Sequence, residues 1–229
     1  TDCSEKTRTK SAERRNEIKQ ANGLKTYLRL HFYFYGENME LLERAIIEKG
    51  EVLPGNVLKV GVFLNNQIDV KFMHELGKEI YNHYKDKGVN KILTVEASCI
   101  AMACLTALHF DCNVVFAKKN KTANVKGDVY SAECYSYTHN KTNTLIVPKD
   151  FLTKDDNVLI IDDFLANGGA MNAMLDLVSQ AGAKVVGLSA FIEKGFQKGG
   201  DKLRQEGIRV ESLAIVDSMD DTSVTFRKN

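Results

Sequence analysis

The chain has 229 residues, which is long for one average domain and short for two large ones. Hydrophobic residues make up 44% and charged residues 27%, close to the averages of globular proteins, so a disordered or collagen-like chain is excluded. The formal net charge is +1, from 31 Lys and Arg against 30 Asp and Glu, so the charge of the whole protein gives no argument for binding to nucleic acid or to a membrane surface.

The first 38 residues differ in composition from the rest, with eight Lys and Arg against five Asp and Glu. Met39 then opens the amphipathic stretch MELLERAIIEKG. We therefore expect residues 39–229 to form the functional domain, with Met39 as its start and residues 1–38 as a basic and aromatic extension outside it. A basic arm that binds nucleic acid is the alternative for this segment.

From Met39 onward, short apolar runs alternate with segments of helical periodicity. Helices are predicted at 39–49, 69–87, 99–110, 169–181 and about 200–206, strands at 91–95, 113–117, 157–161, 184–192 and 209–216, and an exposed hairpin within 118–143. This alternation predicts an α/β fold with a central parallel sheet flanked by helices. Ligands of such sheets bind at the C-terminal ends of the strands.

The segment 158–182, VLIIDDFLANGGAMNAMLDLVSQAG, carries the most chemical information. Asp162 and Asp163 follow a strand that is apolar on both faces, and we expect them at the rim of the sheet, because burying two unpaired carboxylates is costly. The loop 166–170 leads into a helix, and its glycines let backbone N–H groups approach an anion at the helix N-terminus. Carboxylates beside such a loop suit the hydroxyls of a ribose, so the pattern indicates a sugar-phosphate site.

The same pattern permits other interpretations. Asp162 and Asp163 could simply end the strand, with the glycines forming a turn, and receiver domains and other flavodoxin-like proteins also place acidic residues at a strand end. The loop lacks the G-x-x-x-x-G-K-[ST] pattern of a P-loop and the G-x-G-x-x-G fingerprint of dinucleotide sites.

The segment VLIIDDFLANGGA resembles the phosphoribosyl pyrophosphate (PRPP) motif of type I purine phosphoribosyltransferases, and its A-N-G-x-A loop resembles the xanthine phosphoribosyltransferases among them. The resemblance extends in order from Met39 to the C-terminus. It includes the segments VLKVGVFLNNQID (57–69), ILTVEAS (92–98), VVFAKKNKT (114–122), IEKGFQ (192–197) and RVESLA (209–214).

This resemblance implies a type I phosphoribosyltransferase fold with a small hood and a flexible hairpin at 123–143. It implies a glycosyltransferase of purine salvage that moves the phosphoribosyl group from PRPP to N9 of xanthine, giving XMP and pyrophosphate. The implied site residues are Asp162 and Asp163 for catalysis, Ala166, Asn167, Gly168, Gly169 and Ala170 for PRPP, and Leu58, Asn65 and Lys194 for xanthine. It also implies Mg²⁺ bound with PRPP, without direct protein ligands, and a homodimer without a nucleic-acid or membrane partner.

Two residues depart from the family pattern. Gly169 stands where xanthine-specific members commonly have Gln, and Cys99 stands where a Gly is expected after the turn Glu96-Ala97-Ser98, which binds pyrophosphate in the family. Guanine or hypoxanthine transfer is the nearest alternative activity, and a PRPP-sensing, DNA-binding regulator of the same fold is a more distant one.

The five cysteines are odd in number and form no C-x-x-C pair, which favours a cytoplasmic protein without disulfides.

We predict that a chain beginning at Met39 folds and transfers phosphoribosyl groups like the full chain, because the composition changes there and the family resemblance starts there. Thermal unfolding and steady-state kinetics of both chains would check this. A large loss of activity or solubility in the shortened chain would contradict it.

Overall fold

The computed structural model describes residues 40–119, 127–136, 141–220 and 222–228. The predictions made for residues 1–38 lie outside these ranges. Backbone contacts group Leu41–Asn229 into one compact unit. In the part of the chain described, no helix is long and apolar enough to cross a membrane.

A six-stranded sheet forms the centre of this unit. Its strands, in chain order, are β3 (Lys91–Val95), β4 (Asn113–Ala117), β7 (Asn157–Leu165), β8 (Lys184–Lys194), β9 (Val210–Met219) and β10 (Val224–Phe226). The spatial order is β10-β9-β8-β7-β3-β4, with β10 antiparallel to β9 and every other pair parallel. The predicted parallel sheet is confirmed, with one antiparallel strand added at its edge.

Helices cover both faces of the sheet. They are α1 (Leu41–Lys49), α2 (Val70–Tyr84), α3 (Ile100–Phe110), α4 (Gly169–Gln180) and α5 (Gly199–Gln205). Alternate residues of β7 belong to two separate hydrophobic clusters: Leu159 and Ile161 pack in the cluster of α1, α2 and α3, whereas Val158 and Ile160 pack in that of α4. The continuous apolar run of β7 is thus explained by burial on both faces.

Local signals in the sequence account for α2. The Asp69 side chain accepts a hydrogen bond from the backbone N–H of Phe72 at 3.2 Å and caps the helix. Met73, Leu76, Ile80 and Tyr84 are buried at helical spacing. The Tyr84 hydroxyl donates to the carbonyl of Leu188 in β8 at 2.6 Å, which fixes the helix against the sheet.

Two hairpins flank the sheet. The short one pairs β1 (Glu51–Leu53) with β2 (Val57–Lys59), and the long one pairs β5 (Val129–Ser136) with β6 (Lys141–Pro148). The long hairpin extends beyond the predicted 118–143, and residues 120–126 and 137–140 lie outside the described ranges. It is also less exposed than predicted, because Leu145 and Val147 pack in the α4 cluster.

Candidate active site

A cavity of about 980 Å³ opens at the C-terminal ends of β3, β7 and β8. Its wall includes Val95 and Glu96 at the end of β3, residues 162–171 from the end of β7 to the first turn of α4, and Lys194 of β8. The β1–β2 hairpin contributes Gly55–Leu58, and the long hairpin contributes Cys134, Tyr135, Asn143 and Leu145. Ser98, Lys119 and Gln197 complete the wall. The cavity therefore lies at the sheet edge where parallel strands place ligands.

The acidic pair lies within β7 and not at its end. The strand was predicted to stop at Ile161, but its pairing with β8 continues to Leu165. Asp162 is only 5% exposed, so the expectation that both acids stand at the rim is wrong for this one. Sheet hydrogen bonds to β8 extend the strand, which residue-by-residue hydropathy could not reveal.

Each carboxylate is held by the next backbone amide. Oδ1 of Asp162 accepts from the N–H of Asp163 at 2.9 Å, and Oδ1 of Asp163 accepts from the N–H of Phe164 at 2.9 Å. Burial, followed by the neighbouring charge of Asp163, raises the pKa of Asp162 well above its usual range, and Lys119 acts in the opposite direction. Both acids line the cavity.

The loop 166–170 turns the chain from β7 into α4. Gly168 has φ +86°, a left-handed conformation that side chains rarely adopt, and it caps a helix that begins at Gly169. The N-terminal turn of a helix presents unpaired backbone N–H groups, and here that turn lines the cavity. The structure thus brings all five predicted PRPP-binding residues, Ala166, Asn167, Gly168, Gly169 and Ala170, into one wall.

Gly199 supports this loop and was missed by the sequence analysis. Its N–H donates to the carbonyl of Ala166 at 3.1 Å, and a Cβ at this position would overlap that oxygen. The Gly-Gly pair that opens α5 was the available signal, but local sequence does not tell which backbone such a pair approaches.

Both departures from the family pattern are accommodated. Cys99 has φ −85° and ψ −7°, which any residue can adopt, and its thiol is buried 3.7 Å from the carbonyl oxygen of Ile161. Burial raises the pKa of this thiol well above its usual range. At Gly169 a Cβ would lie 3.2 Å from the carbonyl oxygen of Tyr135, so the glycine permits a close approach of the long hairpin.

The predicted base-binding residues are only partly brought together. Lys194 and Leu58 line the large cavity, but Asn65 is exposed and lines a second cavity of about 670 Å³, which Leu58 also borders. The Lys194 ammonium donates to the carbonyl of Asn56 at 3.1 Å and lies 5.8 Å from the centre of the Phe164 ring. Partial burial lowers the pKa of Lys194.

The lysines after β4 occupy different places. Lys119 lines the cavity, and its backbone N–H donates to Oε1 of Glu96 at 2.8 Å, which ties the ends of β3 and β4 together. Lys118 pairs with Ile146 through backbone hydrogen bonds, and Lys121 lies outside the described residues. Glu96, Ser98 and Lys119 thus form the wall on the β3–β4 side.

Comparison with known proteins shows the family of the chain. Residues 63–221 match the family model described as the phosphoribosyl transferase domain. The chain therefore belongs to the phosphoribosyltransferase family. It is similar to the xanthine phosphoribosyltransferase of Oceanobacillus iheyensis, with 50% identity over 190 residues, 83% of this chain and 98% of that protein.

A second relative with this name gives the same result, and a solved structure shows the fold. The xanthine phosphoribosyltransferase of Lachnoclostridium phytofermentans is 50% identical over 191 residues, covering 82% of this chain and 98% of the relative. The adenine phosphoribosyltransferase of Giardia lamblia, solved with 9-deazaadenine, superposes with a TM-score of 0.65 at 23% identity, covering 78% of this chain and 98% of that one.

We predict that Asp162→Asn makes the protein without substrate more stable at neutral pH while lowering its activity. A folded-state pKa raised above the unfolded value of about 3.9 means that the stability contributed by Asp162 is complete below that value and is lost as pH rises through the raised pKa. The melting temperature should rise by about 2–4 °C for each 1 kcal/mol of charge burial removed.

Thermal unfolding at pH 4 and pH 7.5 would check this prediction. The gain should be large at pH 7.5 and small at pH 4, and Asp86→Asn serves as control, because Asp86 is exposed and does not line the cavity. An unchanged melting temperature at pH 7.5, or the same gain at both pH values, would refute the assignment of a buried carboxylate.

We predict that Gly168→Val weakens binding of PRPP far more than binding of xanthine. Valine disfavours φ +86° and obstructs the approach of phosphate to the loop backbone. Isothermal titration with each ligand would measure the two losses separately.

Gly88→Val provides the matched control. Gly88 has φ +69° and open space around its missing Cβ, so the substitution carries a similar strain of about 1–3 kcal/mol at a turn that does not line the cavity. Equal losses of PRPP and xanthine affinity in Gly168→Val, or an equal PRPP loss in Gly88→Val, would indicate general misfolding.

Proposed function

We propose that this protein transfers the phosphoribosyl group from PRPP to N9 of xanthine, giving XMP and pyrophosphate, in purine salvage. The observation that carries the proposal is one cavity lined by a loop at a helix N-terminus, a pair of aspartates and a lysine, in a chain half identical to xanthine phosphoribosyltransferases. Phosphate, ribose and purine are the three parts that this set of groups suits.

The transfer needs no nucleophilic side chain. Its transition state resembles an oxocarbenium ion, so catalysis comes from aligning the two substrates and stabilising charge. The loop 166–170 holds the 5′-phosphate, and Asp162 and Asp163 hold the ribose hydroxyls. The carboxylates also place negative charge beside the developing cation.

Base recognition relies on groups from opposite sides of the cavity. The ammonium of Lys194 donates to O6 or N7 of the purine, and Leu58 packs against the ring. The Asn65 amide satisfies the second oxo group at C2. This hydrogen bond requires the Asn65 amide to reach the base from the second cavity, which shares Leu58 with the large one.

The long hairpin protects the reaction from water. Cys134, Tyr135, Asn143 and Leu145 line the cavity from this side, and Leu145 is anchored in the core. A reactive sugar cation is hydrolysed unless water is kept away during transfer. The hairpin is therefore assigned to shielding the reacting carbon.

The cavity suits Mg²⁺ that enters with PRPP. Asp163 and Glu96 offer carboxylate oxygens in its wall, and the described ranges contain no cluster of three or more metal-binding side chains. Mg²⁺ commonly keeps several waters and binds substrate phosphates with few protein ligands. When bound, the ion would neutralise charge on the leaving pyrophosphate. The protein would contribute carboxylates that accept hydrogen bonds from the waters bound to the ion.

We further propose that the enzyme is a cytoplasmic homodimer, as its family resemblance implies. The four described cysteines form no disulfide, which suits a reducing compartment.

Lys194 recognises acceptors common to all 6-oxopurines, so guanine and hypoxanthine are the competing substrates. Product formation from xanthine, guanine and hypoxanthine under identical conditions would test the assignment, and xanthine should give the highest kcat/KM.

We predict that Lys194→Ala lowers kcat/KM for every 6-oxopurine. Loss of a hydrogen bond from a charged donor costs about 1.5–3 kcal/mol, so the decrease should be roughly 10- to 150-fold. Lys202→Ala, which removes an exposed lysine from α5, should stay near the wild-type value. If Lys194→Ala stays within about twofold for all three bases, the base site is assigned wrongly.

Asn65→Ala should change base preference instead. Its loss should penalise xanthine more than hypoxanthine, because hypoxanthine has no oxygen at C2. The ratio of the two kcat/KM values measures this directly. An unchanged ratio would remove Asn65 from the base site and leave it as a residue of the second cavity.

A further inference from the structure

Glu193 carries a buried carboxylate at the C-terminal end of β8, and none of the roles assigned above uses it. Its side chain is 1% exposed. Arg204 donates to both oxygens, from Nη1 to Oε1 at 2.9 Å and from Nη2 to Oε2 at 2.7 Å, and the Ser212 hydroxyl donates to Oε2 at 2.6 Å. These three charge-assisted bonds compensate for removing the carboxylate from water.

The first turn of α5 lies between this carboxylate and the phosphate-binding loop. A Cβ on Gly200 would overlap Oε1 of Glu193, and a Cβ on Gly199 would overlap the carbonyl oxygen of Ala166. The hydrogen bond from Gly199 N–H to Ala166 confirms direct contact on the loop side. The two glycines that open α5 thus contact Glu193 on one side and the loop on the other.

Two further contacts hold α5 in this place. Nε of Arg204 donates to the carbonyl of Val210 at 3.2 Å, which ties the helix to β9. Arg227, near the C-terminus, donates to Asp201 of α5 at 2.7 Å and to Asp217 of β9 at 2.9 Å. The position of α5 is therefore set by directional polar contacts as well as by packing.

Glu193 also fixes the backbone position from which the Lys194 side chain extends. The two are consecutive in one strand, so their side chains point to opposite faces of the sheet. The Glu193 carboxylate is locked against α5 and β9, whereas Lys194 lines the cavity. Fixing the first residue fixes the strand end from which the second extends.

We propose that Glu193 is a positioning residue for the transfer reaction, because it sets both the lysine that reads the base and, through the first turn of α5, the loop that binds PRPP. This inference rests on the proposed function. A buried ion pair alone is weak evidence for stability, since apolar replacements often stabilise as well. The three hydrogen bonds to the Glu193 carboxylate are directional, so they hold the neighbouring groups in defined positions. Burial of an apolar side chain at the same place would not do this.

The first test compares Glu193→Gln with Asp156→Asn. Asp156 forms a similarly buried pair with Lys91, at 3.3 Å and with side chains 11% and 17% exposed, but it precedes β7 at the opposite end of the sheet from the cavity. Both variants should lower the melting temperature. Only Glu193→Gln should raise KM for xanthine and for PRPP together, with kcat/KM falling about 10- to 100-fold, as expected for a misplaced substrate.

The second test keeps the proposal open to refutation if Glu193→Gln fails to fold. Ser212→Ala removes only one hydrogen bond to the carboxylate, and Ser189→Ala removes a similar bond to the carbonyl of Glu211 in the same pair of strands. Ser212→Ala should raise both KM values roughly two- to tenfold. Ser189→Ala should leave them unchanged.

The outcomes separate this proposal from the proposed function. If wild-type enzyme prefers guanine to xanthine, the substrate assignment fails, but the effect of Ser212→Ala on PRPP binding, measured by calorimetry, still tests the positioning role. If Ser212→Ala, and Glu193→Gln where it folds, lower the melting temperature yet leave the KM of both substrates unchanged, Glu193 is structural only and the proposal is overturned.

Discussion

Parallel pairing of β3, β7 and β8 is the constraint on which the site depends, because parallel strands end at the same edge of a sheet. The chain must leave each strand at that edge, so loops and helix N-termini gather there. Strand β7 is buried on both faces from Val158 to Ile161, and its acidic side chains follow this apolar run on the side of the cavity. The cavity, the place of the acidic pair in its wall and the position of the loop 166–170 all follow from that arrangement.

The aspartate pair shows a conflict between stability and function. A carboxylate that is 5% exposed beside a second carboxylate is unfavourable in the free protein, and burial shifts its pKa upward. In the proposed complex, ribose hydroxyls would donate hydrogen bonds to this carboxylate in addition to the one from the Asp163 amide. The substrate can therefore complete a hydrogen-bonding environment that the free protein leaves poorly compensated.

On the side of the cavity proposed to bind the base, a protein group likewise occupies the place of a substrate atom. Lys194 donates to the carbonyl of Asn56, in the turn of the short hairpin, at 3.1 Å. A purine that presents O6 or N7 to the same ammonium replaces one acceptor by another, so the lysine need not lose a hydrogen bond on binding. Behind the lysine, Glu193 and α5 connect this side to the loop 166–170, so the two proposed substrate sites share one support.

Local patterns in the sequence were sufficient to predict the helices, most bounds of the parallel strands, and the loop 166–170 that leads into α4. The strands Lys91–Val95 and Asn113–Ala117 have the predicted bounds, and Asp69 caps α2, because hydrophobic periodicity and capping act over a few neighbouring residues. Tertiary structure alone decided that β7 continues past Asp162, that Asn65 borders a second cavity, and that Gly199 and Glu193 support the site. These features depend on pairing and close approach between residues far apart in the chain, for which a short stretch of sequence carries no signal.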